Sequence, residues 1–228
     1  MKRFVSLSVV FLAAALFISA CSKDDSPVTP PASQSKASDY WPPTTANATL
    51  TLEGSVKVTS GGVQVGETSL VTVMRSLGGT ATTADGKQTT PYMSIDISDN
   101  QPDTSYFWAY LSAAVVLNYH SLGAGADIDT MIKAPIAVGT TWSANNNNAG
   151  RYTIMAVNES VSTPAGNFSN CVRMRSYTTD PGSGGTSELQ IWVAKGVGPV
   201  KMSGLSDATI GGVTMRVETS ILLKSKTF

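Results

Sequence analysis

The chain of 228 residues has few of the side chains on which metal sites and nucleic-acid interfaces depend. It contains one histidine and two cysteines, which cannot complete a four-ligand zinc or iron–sulfur site without help from carboxylates. Charged residues make up only 14% of the chain, and the formal net charge is zero. Binding to nucleic acid requires clustered Lys and Arg that displace counterions. The composition therefore predicts no metal, no cofactor and no nucleic-acid partner.

The chain is rich in hydroxyl and apolar side chains. It contains 28 Ser and 26 Thr, and 42% of its residues are hydrophobic. This length and hydrophobic content suit one domain with a core of its own.

The first 21 residues are typical of a bacterial lipoprotein signal. Met1–Arg3 carries positive charge, residues 4–20 are uncharged and mostly apolar, and Cys21 follows. Ile18–Cys21 resembles a lipobox, in which small residues precede a cysteine that is lipidated and becomes the new N-terminus. We therefore predict a signal peptide over residues 1–20 and a palmitate-type acyl anchor on Cys21. An uncleaved transmembrane anchor is the alternative, because the uncharged stretch is long enough to span a bilayer.

Residues 21–39 are predicted to be the lipidated cysteine and a flexible tether, because Pro, Ser, Ala and Thr dominate and few apolar residues are present. Asp24 and Asp25, close behind the cysteine, resemble the surface-export signals of Bacteroidota lipoproteins. This resemblance implies an outer-membrane location with surface display. A solvated linker on a protein of the inner leaflet of that membrane is the alternative. Residues 40–228 then form a single β-rich domain.

From residue 40 onward, short alternating runs are broken by turns rich in Gly, Asn and Pro. In residues 50–58 the Leu and Val side chains fall on one face and the polar side chains on the other. Residues 213–220 alternate in the same way. The pattern predicts an all-β fold of short strands, either an antiparallel sandwich or a curved half-barrel. Residues 105–120 are ambiguous, since the alanines and valines there also fit a short helix.

Two motifs resemble those of an uncharacterised family of secreted bacterial lipoproteins of the Bacteroidota type. The first, P-A-G-x-F-x-x-C, spans residues 164–171, and the second, W-x-A-x-G-V-G-x-V-K, spans residues 192–201. Residues 135–142 are similar to a P-L-x-V-G-x-x-W segment that such proteins carry upstream. The resemblance implies a β-rich envelope domain without known activity, in which the motif residues are structural. These residues are Pro164, Gly166, Phe168, Cys171, Trp192, Gly196, Gly198 and Lys201.

The chain offers little support for catalysis. A Cys171 nucleophile with His120 as its base would need an orienting acid such as Asp127 or Asp129. Their spacing does not support such a triad, and no G-x-S-x-G motif occurs. By alternation, Cys171 is expected on the polar face of its strand, beside Arg173, although both faces of a curved sheet can be partly covered. We expect Cys171 to be a structural residue and the protein not to be an enzyme.

One segment is rich in oxygen ligands. Asp96, Asp99 and Asp103, together with Asn100, are candidates for holding Ca²⁺. They lack the D-x-D-x-D-G spacing of a calcium loop, and a solvated turn is the simpler interpretation. The sequence leaves calcium binding by these acids open.

The sequence predicts a lipid-anchored, non-catalytic envelope protein that serves as a binding or structural module, in an oligomeric state that it leaves open. One alternative is a half-barrel carrier of a lipid or other apolar ligand, lined by adaptable methionines. The other is a surface glycan-binding or adhesion domain, because Tyr106, Trp108 and Tyr110 alternate along one strand and share a face. Exposed rings suit stacking on sugars, whereas buried rings are core. The methionines in or beside predicted strands are Met74, Met93, Met155, Met174, Met202 and Met215.

Overall fold

The computed structural model describes residues 35–144, 150–179, 185–210 and 212–228. The predicted signal peptide, Cys21 and most of the predicted tether lie outside the described residues. Within the described ranges, no helix is long and apolar enough to cross a membrane.

Over these residues the chain forms thirteen strands, preceded by a 3-10 turn at Ala37–Tyr40. Eight of the strands span 11 to 14 residues, which is longer than the short strands that the sequence predicts. The strands are β1 (Thr49–Ser60), β2 (Val63–Ser76), β3 (Ala81–Thr82), β4 (Gln88–Ser98), β5 (Gln101–Leu111), β6 (Val115–Tyr119), β7 (Ile128–Lys133), β8 (Thr141–Ser143), β9 (Arg151–Thr163), β10 (Gly166–Thr179), β11 (Thr186–Ala194), β12 (Gly198–Ile210) and β13 (Val213–Lys226).

The strands form one antiparallel sheet that curls into a nearly closed barrel. Their order is β7-β6-β5-β4-β2-β1-β13-β12-β11-β10-β9-β8, with the short β3 paired to β4. The two ends of this order meet, because the Thr130 N–H of β7 donates to the Ala144 carbonyl, just after β8, at 2.7 Å. The Trp142 indole N–H of β8 donates in turn to the Thr130 carbonyl at 2.8 Å. The all-β antiparallel prediction is confirmed.

The ambiguous stretch at residues 105–120 is a strand, a turn and a second strand, so the helix alternative is wrong. The chain reverses between β5 and β6 because Ser112 closes a tight turn. Its hydroxyl donates to the Val115 carbonyl at 2.9 Å and accepts the Val115 N–H at 3.0 Å. The backbone N–H of Ser112 also donates to that carbonyl, at 3.0 Å.

The 3-10 turn plugs one end of the barrel. Ala37, within it, is fully buried, and its N–H donates to the Ala113 carbonyl at 2.9 Å. On the other side, the Gly196 N–H donates to the Asp39 carbonyl at 2.6 Å. Residues 37–39 fall within the stretch predicted as tether, and in the structure they form this turn.

Two clusters of buried side chains fill the interior. The first surrounds the plug and includes Trp41, Tyr92 and Ile154. The second lies among β1 and β9 to β13 and includes Leu50 and Leu223. The pairing of β1 with β13 brings the first and last strands of the domain together, so the second cluster depends on contacts between residues far apart in the sequence.

Candidate ligand-binding face

Strand β5 carries the three aromatic residues that the sequence singles out. Its alternation sends Phe107 and Ala109 inward, where Ala109 is buried and Phe107 packs on the first core cluster. Tyr106, Trp108 and Tyr110 lie together on the opposite, outer face. Tyr106 is 54% exposed, and the other two are half-buried. Tyr106 is therefore accessible from solvent, and the other two rings are accessible in part.

Cross-strand pairing extends this outer face over β4 and β2. Tyr106 lies opposite Met93 of β4, and Met93 lies opposite Arg75 of β2. Directly opposed residues project on the same side of a sheet, and neighbouring strands are about 4.8 Å apart. The three side chains thus form one row across the sheet. We call Arg75, Met93, Tyr106, Trp108 and Tyr110 the aromatic face.

A second aromatic layer lies directly beneath this face. Tyr92 and Phe107 stack with their planes 4° apart, and Trp41 meets both rings edge-on. The Tyr92 hydroxyl donates to the Pro42 carbonyl at 3.1 Å, which ties the layer to the N-terminal segment. Burial raises the pKa of Tyr92 above its ordinary value. The aromatic face consequently rests on a packed, fixed support.

A short hairpin secures one end of the aromatic face. The Asp85 carboxylate accepts hydrogen bonds from the Lys87 ammonium, the Thr83 hydroxyl and the Tyr119 hydroxyl. The bonds from Lys87 and Thr83 hold the pKa of Asp85 at about 2. The Lys87 ammonium lies 5.8 Å from the ring centre of Tyr110 and 5.6 Å from that of Tyr119. This network holds Tyr110 against the hairpin.

Arg75 is the one charged member of the aromatic face. It is half-buried, and its Nε is shielded from solvent without a hydrogen-bond partner. Among the described residues, no carboxylate forms an ion pair with Arg75. A shielded donor without a partner costs roughly 1–3 kcal/mol, so stability does not explain this arrangement. In the sequence, Arg75 interrupts the apolar alternation of Val71 and Val73, which is the one local signal that sets it apart.

The outer face of β9 to β13, β1 and β2 is built differently. Each of its six consecutive strand interfaces carries one charged contact between neighbouring strands. We call this surface the charge face. The contacts are Arg173–Glu159 (3.2 Å), Arg175–Glu188 (4.0 Å), Lys201–Trp192 (4.5 Å to the ring centre), Arg216–Asp207 (2.8 Å), Lys224–Glu53 (3.0 Å) and Lys57–Glu67 (3.8 Å).

Trp192, from the second sequence motif, is held within the charge face. Its indole N–H donates to Glu159 at 2.7 Å, and Arg173 and Lys201 both lie over its ring. Trp192 therefore has two cations over its ring, the nearer at 4.5 Å, whereas Tyr110 has only Lys87 at 5.8 Å, so Trp192 is the more fully covered ring. In the same motif, Gly196 belongs to the turn between β11 and β12 with φ 71°.

Gly198 opens β12 with φ 97°, and a Cβ there would lie 2.7 Å from the Pro42 ring. The close approach of the N-terminal segment therefore requires glycine at this position. Gly198 thus allows the segment that follows the 3-10 turn to pack against the start of β12.

The first motif places its cysteine at an irregular point of the sheet. Cys171 lies in the second core cluster and is fully buried. The pairing of β9 with β10 shifts register on each side of Cys171, and Asn158 and Asn170 adopt positive φ there. Cys171 is paired with Glu159, which also forms the ion pair with Arg173, so its position on the face of Arg173 stays a prediction. Burial raises the pKa of the Cys171 thiol.

The turn of the first motif reaches toward the end of β13. Pro164 and Ala165 form the turn between β9 and β10, and Gly166 follows with φ 131°. The Ala165 N–H donates to the Leu223 carbonyl at 3.2 Å, and Phe168 packs against the second core cluster. The turn thus ties β9 and β10 to the last strand.

The structure does not assemble the candidate catalytic residues. His120 lies exposed at the end of β6, where its Nε2 is 2.8 Å from an Asp129 carboxylate oxygen. Cys171 is buried in a cluster built from other strands. Asp127 contributes only its backbone carbonyl to His120, at 3.0 Å. A nucleophile, base and acid are therefore not brought together.

The acids proposed for calcium lie on the β4–β5 hairpin. Asp96 and Asp103 are directly opposed, and Asp99 lies in the turn. Asp96 accepts a hydrogen bond from the Thr72 hydroxyl at 2.6 Å. Among the described residues, no group of three or more His, Cys, Asp or Glu side chains is arranged to hold a metal.

Three of the six strand methionines belong to the interior. Met174 is buried in the first core cluster, and Met74 and Met202 pack against both clusters. Met93 lies on the aromatic face instead. The methionines therefore do not share one surface.

A shallow depression of about 710 Å³ crosses the charge face over β1, β12 and β13. Ser203, Ser220 and Ser55 are opposed in register and form its floor with Gly54. A Cβ on Gly54 would lie 1.9 Å from the Ser220 carbonyl oxygen. Small side chains therefore shape this depression, and the close approach of β1 and β13 requires glycine at position 54.

The comparisons with known proteins are distant. The chain is similar to a candidate lipoprotein from Parabacteroides distasonis, with a TM-score of 0.44 and 14% identity over 82% of this chain and 98% of that one. It is also similar to a candidate exported protein with a YmcC-like fold from Bacteroides fragilis, with a TM-score of 0.41 and 12% identity over 78% and 95% of the two chains. No protein-family model and no curated protein matches the chain. Membership of the lipoprotein family stays a prediction.

Proposed function

We propose that the protein is a lipid-anchored, non-catalytic binding module of the bacterial outer membrane, and that its ligand is a glycan that docks on the aromatic face. The observation that carries the proposal is the outward row of Tyr106, Trp108 and Tyr110. Aromatic rings offer an apolar face to the C–H groups of a sugar and a polar edge to its hydroxyls. Alternate residues of one strand place the three rings along about 14 Å.

The rigidity of the face supports this role. Tyr92, Phe107 and Trp41 pack beneath the row, and Lys87 and Asp85 secure its end. A surface that is already ordered loses little conformational entropy on binding, which leaves more of the contact energy for affinity.

The anchoring part of the proposal rests on the sequence. Ile18–Cys21 resembles a lipobox, and the acidic pair Asp24 and Asp25 resembles a surface-export signal. A lipid on Cys21 followed by a tether would hold the domain near the membrane while leaving its outer face in solvent. Surface display would expose that face to glycans outside the cell.

The carrier alternative has less support than the glycan alternative. A carrier needs an apolar interior that a ligand can enter. Met174 is buried in the core, and Met74 and Met202 pack against it. These side chains fill interior space rather than line a shared surface.

The proposal is tested by binding of the full-length protein, in detergent micelles, to an array of bacterial surface glycans. Replacement of Tyr106 or Trp108 by Ala should weaken binding of any captured glycan by about tenfold or more, because stacked rings dominate such contacts. Tyr177→Ala is the matched control, since Tyr177 is 47% exposed on β10, outside the aromatic face. Capture of no glycan, or equal losses in Tyr106→Ala and Tyr177→Ala, would contradict the proposal.

A further inference from the structure

Arg75 indicates which kind of glycan the aromatic face would take, an inference that rests on the proposed function. Its side chain is half-buried on the outer side of β2, two strands from the exposed Tyr106 and in the same row. Met93 lies between the two residues. Two strand spacings amount to about 10 Å, so one ligand of a few sugar units can reach both side chains.

The charge of Arg75 is not neutralised by the protein. Its Nε is shielded from solvent and makes no hydrogen bond. Within the described ranges, no Asp or Glu forms an ion pair with it, and the directly opposed residues on either side are Thr49 and Met93. A guanidinium offers five N–H donors in a planar fork that matches a carboxylate or sulfate.

Three other arginines of the same sheet have partners that Arg75 lacks. Arg173, Arg175 and Arg216 each form an ion pair with an acid on a neighbouring strand. Arg151 forms no ion pair among the described residues, but it is exposed, so water solvates its charge. Arg75 is half-buried and has neither an acid partner nor full exposure. A carboxylate or sulfate for Arg75 would therefore come from a ligand.

We propose that the aromatic face binds an acidic glycan, with Arg75 holding the anionic group of one sugar while Tyr106 and Trp108 stack on its neighbours. The shared chemistry is an oxyanion on a sugar, either a uronic-acid carboxylate or a sulfate ester. The guanidinium supplies the charge, and the rings supply the sugar contact. Binding of this kind weakens as salt concentration rises, because salt screens the exposed part of the charge interaction.

The test compares acidic polymers with neutral polymers of the same sugar backbone. Isothermal titration of the full-length protein in detergent micelles uses polygalacturonate against its methyl ester, and dextran sulfate against dextran. We expect at least one acidic polymer to bind about tenfold or more tightly than its neutral counterpart, as a charge-assisted hydrogen bond implies. A preference for polygalacturonate identifies a carboxylate as the anion, and a preference for dextran sulfate identifies a sulfate.

Two arginine variants show whether Arg75 is the cause of that preference. Arg75→Met should remove the preference for the acidic polymer. Arg75→Lys should retain part of that preference, because lysine keeps the charge but lacks the planar fork of donors. Arg151→Met is the matched control. Arg151 is an exposed arginine on β9, away from the aromatic face, and its removal changes the net charge equally. Arg151→Met should leave the binding of acidic and neutral polymers unchanged.

The outcomes separate this inference from the proposed function. If Arg75→Met and Arg151→Met weaken binding of the acidic polymer equally, the preference arises from overall charge, and the inference is overturned. Equal binding of acidic and neutral polymers that still depends on Trp108 would also overturn it, while leaving a glycan-binding face. Binding of no polymer and no arrayed glycan would overturn both.

Discussion

The two outer faces of the sheet use charge in different ways. On the charge face, six consecutive interfaces from β9 to β2 each carry an ion pair or a cation over an aromatic ring. Between β2, β4, β5 and β6, no ion pair joins neighbouring strands in the part of the chain that the structure describes. There the outer surface carries the aromatic face with the unpaired Arg75, beside aliphatic residues such as Val73 and Ile95.

This difference separates side chains that specify the fold from side chains that are free to bind. Opposite charges on neighbouring strands, directly opposed as in Arg216–Asp207 or diagonal as in Lys224–Glu53, favour one register over its alternatives. Tyr106 and Arg75 make no comparable contribution, since one is largely exposed and the other lacks a partner. Surface residues that do little for stability are the natural candidates for function.

The largest effect is expected where the charge face depends on close strand packing. Gly54→Ala would place a Cβ 1.9 Å from the Ser220 carbonyl oxygen, so β1 and β13 must separate. We expect a loss of about 3 kcal/mol or more in the free energy of unfolding. Gly66→Ala is the control, because a Cβ at this β2 position meets no atom within 4 Å. Urea unfolding that shows equal stability for both variants would contradict this packing.

An intermediate effect on the free energy of unfolding is expected when one arginine of each face is replaced by methionine in separate variants. Arg173→Met leaves Glu159 without its ion pair and Trp192 without one of its cations, and should cost about 1–2 kcal/mol. Arg75→Met removes no described contact of the side chain and removes a shielded donor without a partner, so it should leave stability unchanged or raise it by about 1 kcal/mol. Chemical denaturation measures both. An equal loss in the two variants would make Arg75 a structural residue and remove the contrast between the faces.

The smallest effect is expected at the hairpin that secures Tyr110. Hydrogen bonds from Lys87 and Thr83 hold the pKa of Asp85 at about 2. A lowered pKa in the folded state stabilises the hairpin above pH 3.8, the ordinary pKa, and this contribution is lost as the pH falls through about 2. NMR titration of the Asp85 carboxyl carbon should therefore show a midpoint near 2 in the intact protein. A midpoint near 4 would mean that the hairpin does not hold Tyr110 in solution.

The alternation of apolar and polar residues predicted a large part of this fold, because successive side chains of a strand point to opposite faces of the sheet. The faces of β1 and β5 follow from it directly. The full burial of Cys171 did not follow from alternation, because Cys171 lies at a bulge where two asparagines adopt positive φ and the register shifts. A bulge of this kind depends on the partner strand and leaves little trace in the alternation itself.

The candidate site was only partly predictable for a related reason. The three rings of β5 share a face by local parity alone. Arg75 joins them only because β2 pairs with β4 and β4 with β5, leaving β3 off the main order. The barrel likewise depends on pairing β1 with β13, from opposite ends of the domain. Pairing between distant segments is decided by the whole fold, so alternation alone does not reveal it.

The central claim is that the aromatic face, and not the charge face, takes the ligand. The chain has four tryptophans, and each indole N–H gives one resonance in a heteronuclear NMR spectrum, assignable with single Trp→Phe variants. Trp41 and Trp142 are buried, and Trp192 is held by Glu159. Titration of the full-length protein with whichever acidic polymer binds, polygalacturonate or dextran sulfate, should move the Trp108 resonance and leave the other three in place. Movement of Trp192 instead, or of none of the four with any glycan that binds, would contradict the account.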